Sequence, residues 1–476
     1  MKTATREHIY ERIAGNLEVK IKTDVLQIGD KLPSLRDLCR EHGVSMSSAL
    51  QAYLVLEGKG LIESRPQSGY YVCYSHRRFP AAPATSKPLG TGQGGEISDV
   101  ISKVYADVGM GNHILLSLGV PDTSLLPVAK LKKAMLQAMN NLEGGGTAYD
   151  RIQGNQRLRR QIAIGSLHWH GQLNEEDIVT TAGCMNALLF SLTALLRKGD
   201  TLAVESPVYF GILQLARSLG LKVLELPTNP QTGIELDALK RALQRRQINA
   251  CLLVSNFNNP LGSCMPDEHK REVVRLMEHY NIPLIEDDLY GDVYFGSHRP
   301  TSCKTYDESG NVLWCGSVSK TLAPGYRVGW VAPGKYKEQV LQAKLFQSVS
   351  TTTITQETIG NFLETGRYEH HLRHLRRTLQ ANSLQYMRAI SEYFPHDTQV
   401  SRPGGGFIQW VVLNKKADTL QLYEDARRQR ISIAPGRMFT LQDQYHNCLR
   451  LSYGLAWNEQ LERALKTLGK LAKAML

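Results

Sequence analysis

No uninterrupted apolar run in this 476-residue chain approaches a membrane span. The longest, such as Ala250–Val254, stop far short of the roughly 20 residues a bilayer requires. The opening MKTATREHIYERIAG is charged and amphipathic and lacks the apolar centre of a signal peptide, so a cytoplasmic protein is expected. None of the eight cysteines forms a C-x-x-C pair, which argues against a zinc or redox motif and for reduced thiols. Dense basic arms are also missing. Lys plus Arg exceed Asp plus Glu by 56 to 45, yet residues 1–78 hold only 12 against 9, so charge alone points weakly to nucleic acid. What is present, 42% apolar and 21% charged residues, is the composition of a folded chain rather than a disordered or fibrous one.

Three zones follow one another. Residues 1–75 alternate amphipathic helical patterns with short turns and close on an alternating Tyr/Val stretch. The stretch that follows, to about residue 95, carries SHRRFPAAPATSKPLGTGQG, is rich in Pro and Gly and reads as a linker; as a flexible coil its ~20 residues would span about 25 Å on average. Beyond residue 97, helical stretches alternate with the β-branched runs TLAVE, KVLEL, ACLLVSN, IPLIEDD, VLWCGS and VGWVAP. That alternation predicts an α/β domain around a mostly parallel sheet.

In the first zone, Ile9, Ile13 and Leu17 share one face of a helix expected over 5–22. Pro33 and Ser34 open a short helix that Gly43 ends. Ser45 caps a longer one, in which Ala49, Ala52, Tyr53 and Leu56 recur at helical spacing. Two short helices across a Gly-containing turn suggest a helix-turn-helix, and LIESRPQSGYYV supplies two strands of a wing. A generic small helical domain is the plainer alternative. The pieces GDKLPSLRDL, VSMSSALQAYLVLEGKGLI and SRPQSGYYV together resemble the GntR family of winged-helix repressors. The resemblance implies that Ser34, Arg36, Ser45, Ser47 and Ser48, with Gln67, Ser68 and Gly69 at the wing tip, contact double-stranded operator DNA. Hydroxyls at helix N-termini suit phosphate oxygens. Met46 and Leu50 stand where the family often shows Arg, and with Leu54 they make an apolar outer stripe; a solvated or interdomain face is the expectation for Leu54.

In the last zone, GSVSKTLAPGYRVGW places a lysine after a Ser-rich strand end and an arginine shortly after it. These residue types suit a cofactor bearing an aldehyde and a phosphate: Lys320 as Schiff-base lysine, Ser317, Ser319 and Arg327 for the phosphate. A lone Ser-x-x-Lys is more often a solvated loop lysine, so a carboxylate for the pyridine nitrogen is needed. Asp287, ending the apolar strand of IPLIEDDLYGDV, supplies one, because a buried strand-end carboxylate needs a positive partner. Asp288 and Asp292 read as a capping or surface acidic pair. Asn259 in SNFNNPLG and Tyr290 offer donors to a phenolate oxygen, and Tyr209 in ESPVYFG offers a ring. In TTAGCMNALLFSL, a Gly turn opens a helix whose first N–H groups, at Cys184 and Met185, suit a phosphate.

In order and spacing these segments resemble fold-type I, class I aminotransferases over about residues 113–476. The resemblance implies pyridoxal 5′-phosphate (PLP) on Lys320, with Asp287 at its ring nitrogen. Asn259 and Tyr290 would sit at its ring oxygen and Tyr209 on its ring, with Cys184, Met185, Ser317, Ser319 and Arg327 at its phosphate. It also implies that Tyr149 reaches the neighbouring subunit's phosphate in a homodimer, and that Arg450 in CLRLSYG clamps an effector's carboxylate. A winged helix (1–75), a linker (76–112) and an aminotransferase-like domain (113–476), the last with a large sheet domain and a smaller α+β C-terminal part, resemble the MocR subfamily of GntR regulators. The function implied is a PLP-dependent bacterial transcription regulator that senses an amino acid or amine. A working aminotransferase with a DNA-binding appendage stays open, as does a module that has lost PLP.

Overall fold

The computed structural model describes residues 8–23, 25–27, 29–65, 68–73, 80–88, 91–92, 97–111 and 113–476. Helix α1, Ile9–Lys22, buries Ile13, Ala14, Leu17 and Ile21, and its start is closed by the carboxylate of Glu11 accepting from the His8 N–H. Helix α2, Leu35–His42, begins where the Ser34 hydroxyl accepts from the Asp37 N–H at 3.2 Å; it ends at Gly43, whose φ of 61° is the left-handed cap glycine favours. Helix α3, Met46–Gly58, is capped in the same way by Ser45 on the Ser48 N–H. Its Ala49, Ala52, Tyr53 and Leu56 fill a small core with Leu38, Ile62 and Val72. The wing is an antiparallel pair, β1 (Ile62–Arg65) and β2 (Gly69–Val72), with Ile62 opposite Val72.

All six β-branched runs become strands of one nine-stranded sheet. Five lie parallel in the order Lys222–Asn229, Thr201–Ser206, Ala250–Leu253, Leu284–Asp287 and Val312–Ser317. Gly329–Ala332 and Val179–Thr181 continue antiparallel beyond the last of them. Strands buried on both faces carry apolar side chains on both: Leu202, Val204 and Leu252 face one core, Ala203, Cys251 and Leu253 the other. The carboxyl ends Ser206, Leu253, Asp287 and Ser317 therefore fall along one edge, the edge where open α/β sheets hold ligands. A four-stranded sheet, with Ile408–Val412 paired to Cys448–Ser452, forms the C-terminal part and carries Arg450 opposite Trp410.

The stretch read as linker is built into the domain over much of its length. Ser86 and Thr228 exchange hydrogen bonds, and the Val400 N–H donates to the Ala81 carbonyl. Helix Ile97–Ala106 lies there too, and its Ile101 and Val104 belong to the main core. Burial of those two side chains outweighs the low periodicity around them.

Candidate functional site

The strand-end edge opens into a cavity of about 330 Å³. Its floor is Asp287, the last residue of its strand. The Cys184 thiol donates to Asp287 Oδ1 at 3.1 Å, and burial, with Asp288 adding repulsion, pushes the Asp287 carboxyl up to about 6. Lys320 closes a short turn, Val318–Lys320, directly after strand Val312–Ser317, and its Nζ donates to the Gly119 carbonyl. Burial lowers the Lys320 ammonium to about 8, with the Arg450 charge acting in the same direction.

One wall is a hydrogen-bonded relay. The Arg450 guanidinium donates to Asn259 Oδ1 at 3.0 Å and to the Ser117 carbonyl, and Asn259 Nδ2 donates to the Tyr290 hydroxyl at 3.2 Å. Arg450 Nε is buried with no hydrogen-bond partner among the described residues. Opposite, Ser317 Oγ donates to Ser319 Oγ at 2.7 Å, and Arg327 reaches Ser319 Oγ at 3.3 Å and the Ala182 carbonyl at 3.2 Å. Gly183 lies before the helix Cys184–Leu195 with φ of 88°. A Cβ there would stand 2.3 Å from an Arg327 nitrogen, so only glycine lets the guanidinium close over the helix start. The Tyr209 hydroxyl lies 3.3 Å from that of Tyr105.

Eleven of the twelve residues expected at the cofactor and effector positions line this cavity: Lys320, Asp287, Asn259, Tyr290, Tyr209, Cys184, Met185, Ser317, Ser319, Arg327 and Arg450. Tyr149 does not; its side chain stands 86% exposed. Sequence reasoning gave no site role to Tyr105 or to the Ser117–Val120 segment, which line the cavity too. A glycine–proline turn in SLGVP was the available sign for the segment; nothing marked Tyr105. One expectation is corrected. Asp288 and Asp292 are no surface pair: Asp288 is buried, and both carboxylates bind the Arg299 guanidinium, at 2.7 and 2.6 Å. Asp288 also accepts from Asn256 and the Trp314 indole, so its role is to hold the turn behind Asp287.

The cavity chemistry suits PLP. Three cationic side chains, Lys320, Arg327 and Arg450, face one carboxylate, a balance for a ligand carrying a phosphate and a carboxylate. The buried, unpaired Arg450 Nε still has a donor to give.

On the winged helix, Ser34, Arg36, Ser45, Ser47, Ser68 and Gly69 are exposed and Ser48 half-buried; Gln67 lies outside the described residues. Ser34 and Ser45 spend their hydroxyl oxygens capping α2 and α3, and Ser68 pairs with the Tyr71 hydroxyl at 2.7 Å. Beside the wing, Arg65 stacks on Tyr71, 4.3 Å from the ring centre, a basic contact the sequence reading did not single out. Leu54 is 5% exposed and packs on Leu384 and Met387 of the long helix Arg367–Tyr393, with Leu50 alongside; this part of the outer stripe is an interdomain face, while Met46 stays exposed. At its end Arg388 pairs with Glu57 at 2.6 Å and donates to the Ile62 carbonyl.

Residues 9–72 match the bacterial regulatory proteins of the gntR family, and residues 112–468 match aminotransferase class I and II. Over 464 residues the chain is 36% identical to the uncharacterized HTH-type transcriptional regulator YjiR of Escherichia coli, covering 97% of this chain and 98% of the relative. The chain belongs to the MocR-type GntR regulators. Another full-length relative, NorG of Staphylococcus aureus, an HTH-type transcriptional regulator, is 27% identical over 91% of this MocR-type chain and 98% of its own. Among solved structures, an archaeal alanine:glyoxylate aminotransferase superposes with a TM-score of 0.75 at 24% identity, covering 81% of this chain and 96% of that one. LysN, the α-aminoadipate aminotransferase of Thermus thermophilus, complexed with N-(5′-phosphopyridoxyl)-L-leucine, gives 0.72 at 24%, covering 80% and 99%. These two likenesses establish the aminotransferase fold. Among the described residues no helix is long and apolar enough to cross a membrane.

Proposed function

We propose that this chain is a PLP-dependent transcription regulator of the cytoplasm. Its winged helix, residues 1–75, binds operator DNA. Its aminotransferase-like domain, residues 113–476, senses an amino acid or amine, and two chains act as a homodimer. The observation that carries the reading is the joining of a gntR-type winged helix to one cavity that gathers Lys320, Asp287, Arg327 and Arg450. When bound, PLP supplies an aldehyde that condenses with amines and a ring that withdraws electrons once protonated. The chain's own residues account for the rest. Lys320 offers an amine whose lowered pKa leaves a useful uncharged fraction near neutrality. Asp287 holds a proton at the ring nitrogen, and Asn259 and Tyr290 orient the ring oxygen. Ser317, Ser319, Arg327 and the N–H groups of Cys184 and Met185 bind the phosphate, with Tyr209 over the ring and the partner's Tyr149 at the phosphate. Arg450 binds an effector carboxylate through a planar guanidinium. Coupling to DNA requires an effector that binds one arrangement of the winged helices better than another.

The test is spectroscopic. Purified protein supplied with PLP is expected to show visible absorbance that shifts on titration with amino acids or amines, and borohydride is expected to fix the cofactor on Lys320. Lys320→Ala should lose both while the winged helix stays folded. Colourless wild-type protein with nothing trapped would remove the sensing half of the proposal. A second reading, a turning-over aminotransferase, draws support from the gathering of Lys320, Asp287 and Arg450 in one cavity, because an amine there could serve as a proton-transferring base. Amino acid plus keto acid separates the two: repeated product formation supports an enzyme, a spectral change that stops supports a sensor.

A further inference from the structure

Where α3 meets the long helix Arg367–Tyr393, a second pocket of about 310 Å³ opens, lined by Gln51 from the winged helix and by Ser297, Arg373, Arg376, Arg377 and Gln380 from the other domain. Arg376 is committed: it donates to the Asp292 carbonyl at 2.7 Å, pairs with Glu369 at 3.4 Å and stacks 3.9 Å from the Tyr294 ring centre. Arg373 and Arg377 are exposed and have no carboxylate partner among the described residues. They lie one turn apart, about 6 Å along the axis, on the face that also carries His370 and His374.

Position decides what this face meets. The two helices run the same way past each other: Gln51 lies by Arg377 and Gln380, Leu54 by Leu384 and Met387, Glu57 by Arg388. The same pocket sets Gln51, in the second turn of α3, beside Arg373 and Arg377, and the exposed Ser45 and Ser47 stand at the start of that helix. A helix-turn-helix presents the N-terminal end of its second helix to the groove. A duplex seated on that helix end would carry its phosphate backbone toward the side on which Gln51, Arg373 and Arg377 meet. Because both side chains are exposed, the pair suits a backbone passing over the surface better than an enclosed small anion.

We propose that Arg373 and Arg377, on the aminotransferase-like domain, extend the DNA-binding surface of the winged helix by contacting backbone phosphates. This rests on the reading of the winged helix as a DNA binder. The full-length, PLP-loaded protein is titrated with a labelled duplex of arbitrary sequence at salt concentrations from about 50 to 200 mM. Each phosphate contact contributes about 0.9 to the slope of log affinity on log salt, so R373A/R377A should flatten the slope by about 1.8. The charge-preserving R373K/R377K should keep the wild-type slope, which a merely structural role would not ensure. An unchanged slope in R373A/R377A, with wild-type binding intact, overturns the proposal alone. A wild-type protein that binds no duplex overturns both it and the DNA reading. Inorganic phosphate raising the melting temperature of wild type but not of R373A/R377A, without a change in slope, would assign the pocket to a small anion and likewise overturn it.

Discussion

Asp287 sets the electrostatics of the strand-end cavity, and the balance is testable by pH. Its folded-state pKa of about 6 lies above the unfolded value of 3.8. The folded state therefore holds the proton more tightly, and the associated stability is present below pH 4 and lost as pH rises through 6. In protein freed of PLP, Asp287→Asn removes the charge that burial disfavours. It is expected to exceed wild type by about 2–3 kcal/mol at pH 7 and to match it below pH 4, read from urea unfolding at the two pH values. With PLP bound the preference reverses, because the ring's positive charge needs the carboxylate. Equal stabilities at pH 7 would mean that the carboxyl is not desolvated. The Cys184 thiol belongs to the same group, donating to that carboxylate from the first residue of a helix that was read only for its backbone N–H groups.

At the level of elements, the docking of α3 on the long helix Arg367–Tyr393 depends on few groups. Glu57 is 7% exposed and its carboxyl is raised by burial, with Arg388 opposing that rise. Arg388→Ala leaves a buried acid without its cation. The expected cost is about 2 kcal/mol, below the roughly 3–5 of a fully buried pair because Arg388 is partly exposed. Faster hydrogen exchange confined to α3 and the wing, with unchanged PLP absorbance, is the expected signature; unchanged exchange would count against a docked winged helix. The elements themselves were legible for local reasons. Runs such as ACLLV and IPLIED are strands because a sheet covered on both faces needs apolar residues on both, and Ser34, Gly43 and Ser45 mark helix ends through their own backbone bonding. What escaped was carried by distance along the chain. Nothing near Tyr105 announces Tyr209, nothing near Glu57 announces Arg388, and, although the strand end singles out Asp287, nothing at Asp288 or Asp292 announces Arg299.

For the whole molecule, the proposed homodimer asks each chain to add one residue to the other's cavity. Tyr149, expected at the neighbouring subunit's phosphate, lies outside its own chain's cavity and is exposed, on a segment tied down by the Thr353 hydroxyl donating to the Ala148 carbonyl. Exposed Leu345, Phe346 and Val349 give the same chain an apolar surface of the kind a second copy covers. If two chains pair about a two-fold axis, each lends its Tyr149 to the other's cavity. Tyr149→Phe should then weaken PLP retention several-fold without altering the dimer seen by light scattering. Mixing decides whether the tyrosine acts across the interface. In a dimer of one Lys320→Ala chain and one Tyr149→Phe chain, one cavity carries both defects and the other carries neither. Subunit exchange between the two variants should therefore restore tight PLP binding and effector response at one cavity per mixed dimer. If Tyr149 serves its own chain, every cavity in the mixture keeps exactly one defect, no wild-type response returns, and the two-chain site is rejected.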